Sequence, residues 1–263
     1  MVPFKALPNR RAGMTTIAVL ADPPREGFVL PELAETSPLS ASEAAELYAA
    51  MLKDTFVAVA NSGGELLVNY RPDEAIPDEY AGDESSEEEL RALADEALEG
   101  TDDVRFEVQV GETLSGRAGN TATHLLEEEE VASVAIVDGT APMLTRKEID
   151  SAAMKLRRSE VVLGPAADGR LYYLGATDTI DFADVYTPPE LETATRRAVD
   201  AGHDVDYLPA MTSVETGADL CSLIPLLNSR IAAERIVPVN TASYLHELGV
   251  RVEERNGKRT VVR

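Results

Sequence analysis

The feature that most constrains this chain is a recurring unit: a short β-branched apolar run, a loop, then a longer stretch with helical spacing of apolar residues. Thr16-Ile17-Ala18-Val19-Leu20 opens the series and Asp22-Pro23-Pro24 closes it, which reads as a buried strand ending in a loop. Behind a Ser40-x-x-Glu43 capping box, Ala44, Leu47, Tyr48, Met51, Leu52, Thr55, Phe56 and Val59 recur every three or four residues and predict one helix face. Ser62-Gly63-Gly64 stops that helix, and residues 65–70 form the next strand. A second box, Ser86-x-x-Glu89, starts a helix with Leu90, Leu93, Ala94 and Ala97 inward. Phe106, Val108 and Val110 then alternate with Glu107 and Gln109 as a half-buried strand, and the glycine-spaced stretch 111–119 reads as a loop before a helix carrying Leu125 and Leu126. Further strands are expected over 134–137, 160–164, 171–175 and 205–208, with helices over 146–157, 190–201 and 216–227. Strands alternating with helices imply an α/β fold with a mostly parallel sheet in three layers.

Residues 14–228 are expected to form one domain. Residues 1–13 are basic but lack the apolar segment of a secretory signal, so they read as a disordered or mis-started tail with Met14 as the alternative start. Residues 229–263 read as an extension, with a short helix over 241–248 and a hairpin around Asn256-Gly257.

Lys and Arg number 24 against 47 Asp and Glu, a formal charge of −23. Duplex-DNA and anionic-membrane binding are disfavoured, because both need clustered cations to displace counterions. Hydrophobic residues at 44% still allow a large core, which excludes wholesale disorder. Only five of the cations are lysine, a pattern expected of a halophilic protein of a salty cytoplasm, where the Debye length falls to about 3 Å and self-repulsion is screened. A mesophilic acidic protein is the alternative. No apolar run approaches the roughly 18 to 20 residues a membrane helix needs. Cys221 is the one cysteine, which excludes a disulfide framework and reads as a buried core thiol. His124, His203 and His246 are too scattered in sequence to predict a metal cluster.

Ligands of open α/β sheets bind outside the carboxyl ends of the strands, which directs attention to loops 21–40, 111–119, 138–145, 165–170 and 209–219. Asp138 ends a strand and begins Asp138-Gly139-Thr140-Ala141-Pro142; Asp168-Gly169 follows another strand; Glu215 precedes a helix that carries Asp219. Carboxylates meeting at one sheet edge suit Mg²⁺ or Mn²⁺, which take hard oxygen ligands and bridge diphosphates. The same residues could equally be caps and turns of an acidic chain. No Gly-x-Ser-x-Gly elbow or phosphate-binding Gly-x-x-x-x-Gly-Lys-Ser/Thr loop occurs in the sequence.

Gly164-Pro165-Ala166-Ala167-Asp168-Gly169 running into Tyr172-Tyr173-Leu174-Gly175, preceded by Ala141-Pro142-Met143-Leu144-Thr145, resembles the radical-SAM/selenodomain-associated transferases. Further matches are Asp54-Thr55, Gly111-x-x-Leu114-x-x-Arg117 and Val214-Glu215-Thr216-x-x-Asp219-Leu220, so the resemblance runs over residues 15–228. It implies a GT-A, Rossmann-like fold of the nucleotide-diphospho-sugar transferase type, in which the first loop holds phosphates and a strand-end aspartate holds a divalent metal. The chain departs from the family at both places. Where the family has a Lys-Thr-Arg-Leu element, residues 25–33 keep Arg25 as the one cation, and Thr140 replaces the metal aspartate. Asp138, two residues earlier, could supply the missing charge. On this resemblance Asp138 and Glu215 are the metal ligands, Asp168 is the acceptor contact or base, and Arg25, Arg117 and Arg170 are the nucleotide or substrate contacts. Arg170 could instead pair with a surface acid. The implied activity is glycosyl or nucleotidyl transfer from a nucleotide or nucleotide-sugar donor, assisted by Mg²⁺ or Mn²⁺. The alternative is a catalytically degenerate member that binds or scaffolds.

Overall fold

The computed structural model describes residues 14–255 and 257–263, so the expected tail at 1–13 and Asn256 of the hairpin turn lie outside the described residues. Strand β1 (Thr16–Ala21) is buried along its whole length and sends alternate side chains to opposite faces, Ile17 and Val19 into one apolar cluster and Ala18 and Leu20 into another. It is flanked by β2 (Glu65–Tyr70) and β4 (Val134–Asp138), both parallel to it. With β3 (Arg105–Val108), β5 (Val161–Pro165), β6 (Leu171–Ala176) and β7 (Val205–Tyr207) the sheet has the order β3-β2-β1-β4-β6-β5-β7. Only β6 runs against the others, so the loops after β1, β2, β3, β4, β5 and β7 all emerge at one edge.

One face of the sheet is covered by α2 (Ala41–Ala60), α3 (Ser86–Ala97), α5 (Arg146–Lys155) and α7 (Gly217–Ala232), the other by α4 (Leu114–Thr123) and α6 (Glu190–Asp200). A one-turn helix α1 (Pro31–Thr36) precedes α2. This is the three-layer α/β arrangement expected, with a mostly parallel sheet.

Several local expectations shift. The Ser40–Glu43 capping box forms, but the second box is Ser85 with Glu88, one residue earlier than the sequence pattern indicated, because the Ser86 amide is held by Asp73 (3.0 Å). The 111–119 stretch is not a loop: Thr113 caps α4 through the Gly116 amide, and Gly116 and Gly119 are helical. Gly119 is required there, since a Cβ would lie 2.7 Å from Phe182. The Leu125–Leu126 segment continues α4 as a π-helical turn over His124–Glu128. A boundary at 228/229 falls inside α7, and the final helix α8 (Val239–Glu247) and hairpin β8 (Arg251–Arg255)–β9 (Lys258–Val262) insert Leu245, Val250 and Val261 into the main apolar cluster. The seam is polar at its centre: Asp54 of α2 accepts hydrogen bonds from the Asn240 amide (3.0 Å), the Asn240 side chain (3.0 Å), the Thr241 amide (2.8 Å) and the Thr241 hydroxyl (2.6 Å). Asp54 thereby satisfies the donors left free at the start of α8. Cys221 is half-buried on α7 rather than enclosed in the core.

Candidate active site

Chain order along the sheet reverses between β1 and β4, and the carboxyl ends of these two strands open into a cavity of about 210 Å³. Leu20 and Asp22 from β1, Asp138 and Thr140 from β4, Arg71 from the end of β2 and Arg117 from α4 reach it, with Phe28, Tyr48 and Tyr186 as aromatic walls. Arg71 grips Asp22 through Nε to Oδ1 (2.8 Å) and Nη2 to Oδ2 (2.9 Å), and its guanidinium carbon lies 4.9 Å from the centre of the Phe28 ring. Burial pushes the Asp22 carboxyl up, and the two arginines pull it partly back. Tyr48 accepts the Asp22 amide (3.2 Å).

Arg117 is 7% exposed, donates from Nη1 to the Glu112 carbonyl (3.1 Å) and leaves Nε without a partner. Burial, with Arg71 nearby, holds its pKa below the ordinary value. Among the described residues no carboxylate forms an ion pair with this guanidinium, although the Asp22 charge reaches it. Gln109 is also buried; its side-chain amide donates to the Asn69 carbonyl (2.7 Å), while Oε1 is unpartnered.

Asp138 is half-buried at the wall of this cavity and accepts hydrogen bonding from Thr140, whose amide lies at 3.1 Å. Removal from water first, and the negative charge of Glu215 second, push its pKa up to about 7. Glu190, half-buried and bonded to the Leu171 amide (2.9 Å), is raised by burial and adds to the same acidic field. Thr140 is tied to Ser213 (2.6 Å between hydroxyls), and the Val214 amide donates to the Thr140 carbonyl (2.8 Å), which fastens the β4 loop to the segment before α7. Gly139 allows the approach of α2, because a Cβ there would collide with Leu52.

The structure brings Arg117 and Asp138 to one cavity and sets Glu215 in the electrostatic field of Asp138. It does not bring the remaining expected residues there. Arg25 is consumed by the segment after β2: its donors reach Glu89 (2.9 Å), the Tyr80 carbonyl (3.0 Å), the Glu84 carbonyl (3.0 Å) and Asp73 (3.3 Å). A phosphate contact from Arg25 is therefore corrected to a structural clamp. Arg170 is held by Glu215 (2.9 Å) and Asp219 (2.7 Å), so the pairing with acids is the arrangement found. Asp168 is exposed, at φ 57 in a turn, and does not line the cavity. Asp138, Asp168 and Glu215 do not form a three-ligand set within a shared ion's reach. Among the described residues that description fits Glu107, His124 and Glu129, whose ligand atoms lie within 4.8 Å of one another. The π-helical turn brings His124 to these glutamates, against the expectation from sequence spacing, but Arg105 already bridges Glu107 and Glu129.

Asp22, Arg71, Gln109, Tyr48 and Tyr186 were not singled out from sequence. A signal existed for two of them: Asp22 and Arg71 are the first residues after β1 and β2, and the loop after β2 belongs to the same ligand-binding edge.

Comparison with known proteins accords with this architecture. Residues 81–187 match the profile of a family described as uncharacterized protein conserved in bacteria (DUF2064), a span that includes Arg117, Asp138, Asp168 and Arg170 but neither Arg25 nor Glu215. The structure is similar to that of a "putative nucleotide-diphospho-sugar transferase" from Desulfovibrio desulfuricans G20, with 20% identity, a TM-score of 0.72, and 89% of this chain and 95% of that chain covered. More distant similarities are to a 4-diphosphocytidyl-2C-methyl-D-erythritol synthase from Anaerococcus prevotii (12% identity, TM-score 0.48, 81% and 96% covered) and a cytidylyltransferase from Leptospira borgpetersenii (12%, 0.48, 89% and 94%). The first similarity shows that the fold is that of the nucleotide-diphospho-sugar transferases, a GT-A-like α/β fold; the other two carry no argument about activity. No curated protein matches the sequence. No helix among the described residues is long and apolar enough to cross a membrane.

Proposed function

We propose that the protein is a transferase that takes a nucleoside-diphosphate donor into the cavity between β1 and β4 and transfers its glycosyl or nucleotidyl group. The observation that carries this reading is Arg117: a buried guanidinium with an unpartnered Nε, beside Arg71, at the switch point of the sheet. An anion is the ligand that the open Arg117 guanidinium best accommodates, since Arg71 already answers Asp22, and a diphosphate offers several acceptor oxygens to it. Phe28 and Tyr48 supply apolar walls against which a flat ring can lie. Membership of the radical-SAM/selenodomain-associated group within this fold is part of the proposal, as is operation in a salty cytoplasm.

The carboxylates fit a divalent cation. Asp138 has no ion pair among the described residues, lies in the field of Glu215 and Glu190, and offers hard oxygen. Mg²⁺ characteristically uses one or two protein carboxylates together with substrate phosphates, so Asp138, joined by Glu215 once it exchanges Arg170 for the ion, suffices without Asp168. Bound there, Mg²⁺ or Mn²⁺ supplies neutralisation of the charge that develops on the departing phosphate. Arg117 orients the diphosphate and stabilises the same charge, while the tie from Thr140 to Ser213 keeps Asp138 in register with Glu215. The two carboxylates are positioned by different loops, so the tie between those loops sets the geometry of the pair.

Titration calorimetry with uridine and guanosine diphosphates in molar KCl, with and without Mn²⁺, tests this. Metal-enhanced binding that Asp138→Ala makes metal-independent, and that Arg117→Ala weakens with or without metal, is expected; absence of binding to either nucleotide refutes the proposal. The second reading, a degenerate binding or scaffolding protein, is favoured by the cavity's size. At about 210 Å³ it is smaller than the roughly 300–1,000 Å³ of most small-molecule sites, and the loop residues Phe28, Val29 and Leu30 stand where the related loop carries cations.

A further inference from the structure

The ligand-binding edge of the sheet carries a second hollow, beyond β4 from the arginine cavity. A groove of about 650 Å³ lies between the β4–α5 loop, the β5–β6 turn and the segment leading into α7. Met143, Ala166, Pro209, Met211, Leu226 and Ile236 make it apolar. Ile236 is 83% exposed and Leu226 38%, so apolar surface is left uncovered here. The wall is firmly built: the Tyr172 hydroxyl donates to the Pro209 carbonyl (2.9 Å), the Met211 amide to the Pro165 carbonyl (3.0 Å), and Ala166 bridges Met211.

Two cations also line the groove, Lys147 in the first turn of α5 and Arg230 near the end of α7. Neither forms an ion pair among the described residues; Arg230 donates to the Ile236 carbonyl (3.3 Å). In a chain with 47 acids and 24 cations, unpaired cations beside an uncovered apolar surface contrast with Arg71 and Arg170, which are both locked to carboxylates. Glu148 also lines the groove, but its carboxylate is engaged by the Thr145 hydroxyl.

Two loops serve both the groove and the proposed reaction centre, and a third leaves the groove for the exposed Asp168. Residues 138–145 carry Asp138 at one end and Met143 and Thr145 at the other; residues 166–168 pass from Ala166 and Ala167 in the groove to Asp168; residues 209–215 run from Pro209 and Met211 to Glu215. Asp138 and Glu215 are therefore each joined to the groove by a single short loop.

We propose that this groove is the acceptor subsite, and that its acceptor is an amphiphile with an apolar body and a single anionic head, a carboxylate or a phosphate. The assignment as acceptor rests on the transferase reading above. The apolar body takes the surface formed by Met143, Met211, Leu226 and Ile236, and Lys147 and Arg230 hold the head. Hydrophobic burial supplies affinity, and the two cations discriminate against neutral and cationic analogues.

Octyl phosphate, octanoate and octanol serve as probes, titrated by calorimetry into the full-length protein in molar KCl. Octyl phosphate or octanoate is expected to bind at least about tenfold more tightly than octanol, and the tighter of the two identifies the head group. Ala167→Trp, which fills the groove, and the pair Lys147→Glu with Arg230→Glu are each expected to weaken that binding by about tenfold or more. Ala242→Phe, in the separate apolar pocket between α7 and α8, is expected to leave it unchanged. Equal binding of octanol, or loss of binding in Ala242→Phe but not in the groove variants, overturns the proposal. Circular dichroism of each variant separates a lost site from a lost fold. Uridine and guanosine diphosphates are titrated into the same samples. Nucleotide binding that persists while the amphiphiles ignore the groove variants sinks the acceptor subsite alone, whereas amphiphile binding without any nucleotide binding removes the transferase reading and with it the acceptor assignment.

Discussion

Asp54, in the seam between α2 and α8, and Asp138, at the end of β4, are both withdrawn from bulk water, yet their surroundings are opposite. Asp54 receives hydrogen bonds from two backbone amides, a hydroxyl and a side-chain amide, so its charge is answered by the helix it anchors. Asp138 receives the Thr140 amide and otherwise meets Glu215 and Glu190, charges of its own sign. The first arrangement stores stability; the second spends it, and a folded chain keeps such a carboxylate in place where a ligand can complete it. The contrast separates a carboxylate that holds the fold from one that the proposed function assigns to the metal.

The comparison is broken most forcefully at Asp54. Asp54→Ala leaves the Asn240 and Thr241 donors buried without an acceptor and is expected to cost about 3 kcal/mol in urea unfolding, with α8 and the hairpin the first to lose amide-exchange protection. Asp138 should respond in the opposite direction. Its pKa in the fold is about 7 against 3.8 for the free group, so the stability present below about pH 4 is lost as pH rises through 7. Asp138→Asn, which keeps an oxygen for the Thr140 amide, is expected to match the parent at pH 4 and to exceed it by on the order of 3 kcal/mol at pH 8 in metal-free buffer. A pH-independent difference between the two proteins would show that Asp138 is already compensated.

Arg117 sharpens the contrast from the cation side. Arg117→Ala is expected to weaken nucleoside-diphosphate binding by about 2 kcal/mol in calorimetry, through loss of a charge-assisted contact. Arg25→Ala, which removes the clamp on the segment after β2, is expected to lower the melting temperature far more than it alters a nucleotide's intrinsic contacts. The smallest effect belongs to the exposed turn: Asp168→Ala is expected to change stability by less than about 0.5 kcal/mol in thermal unfolding.

Much of the fold was legible because apolar spacing reports secondary structure directly. Thr16–Ala21, Glu65–Tyr70 and Ala41–Ala60 emerge close to where their periodicity put them, and the strand-helix alternation carried the three-layer sheet. The 111–119 stretch was misjudged because glycine signals freedom in a local reading, whereas Gly119 is small to let α4 approach Phe182. The site was legible in part. Asp138 and Arg117 could be named from their places at strand and helix ends, but nothing in the sequence distinguishes Arg117, left unpaired in a cavity, from Arg25, surrounded by four acceptors.

By itself the sequence determined the class of fold, the edge at which the strand-end loops gather and the acidity of the chain, because periodicity, chain direction and charge are local or additive properties. The tertiary structure alone decided which charges are answered and which are left open. Arg170 meets Asp219 across 49 residues and Asp54 meets Thr241 across 187. Such pairings depend on how helices and loops distant in the chain pack against one another, and an ion's free energy is set by the neighbours it has in space.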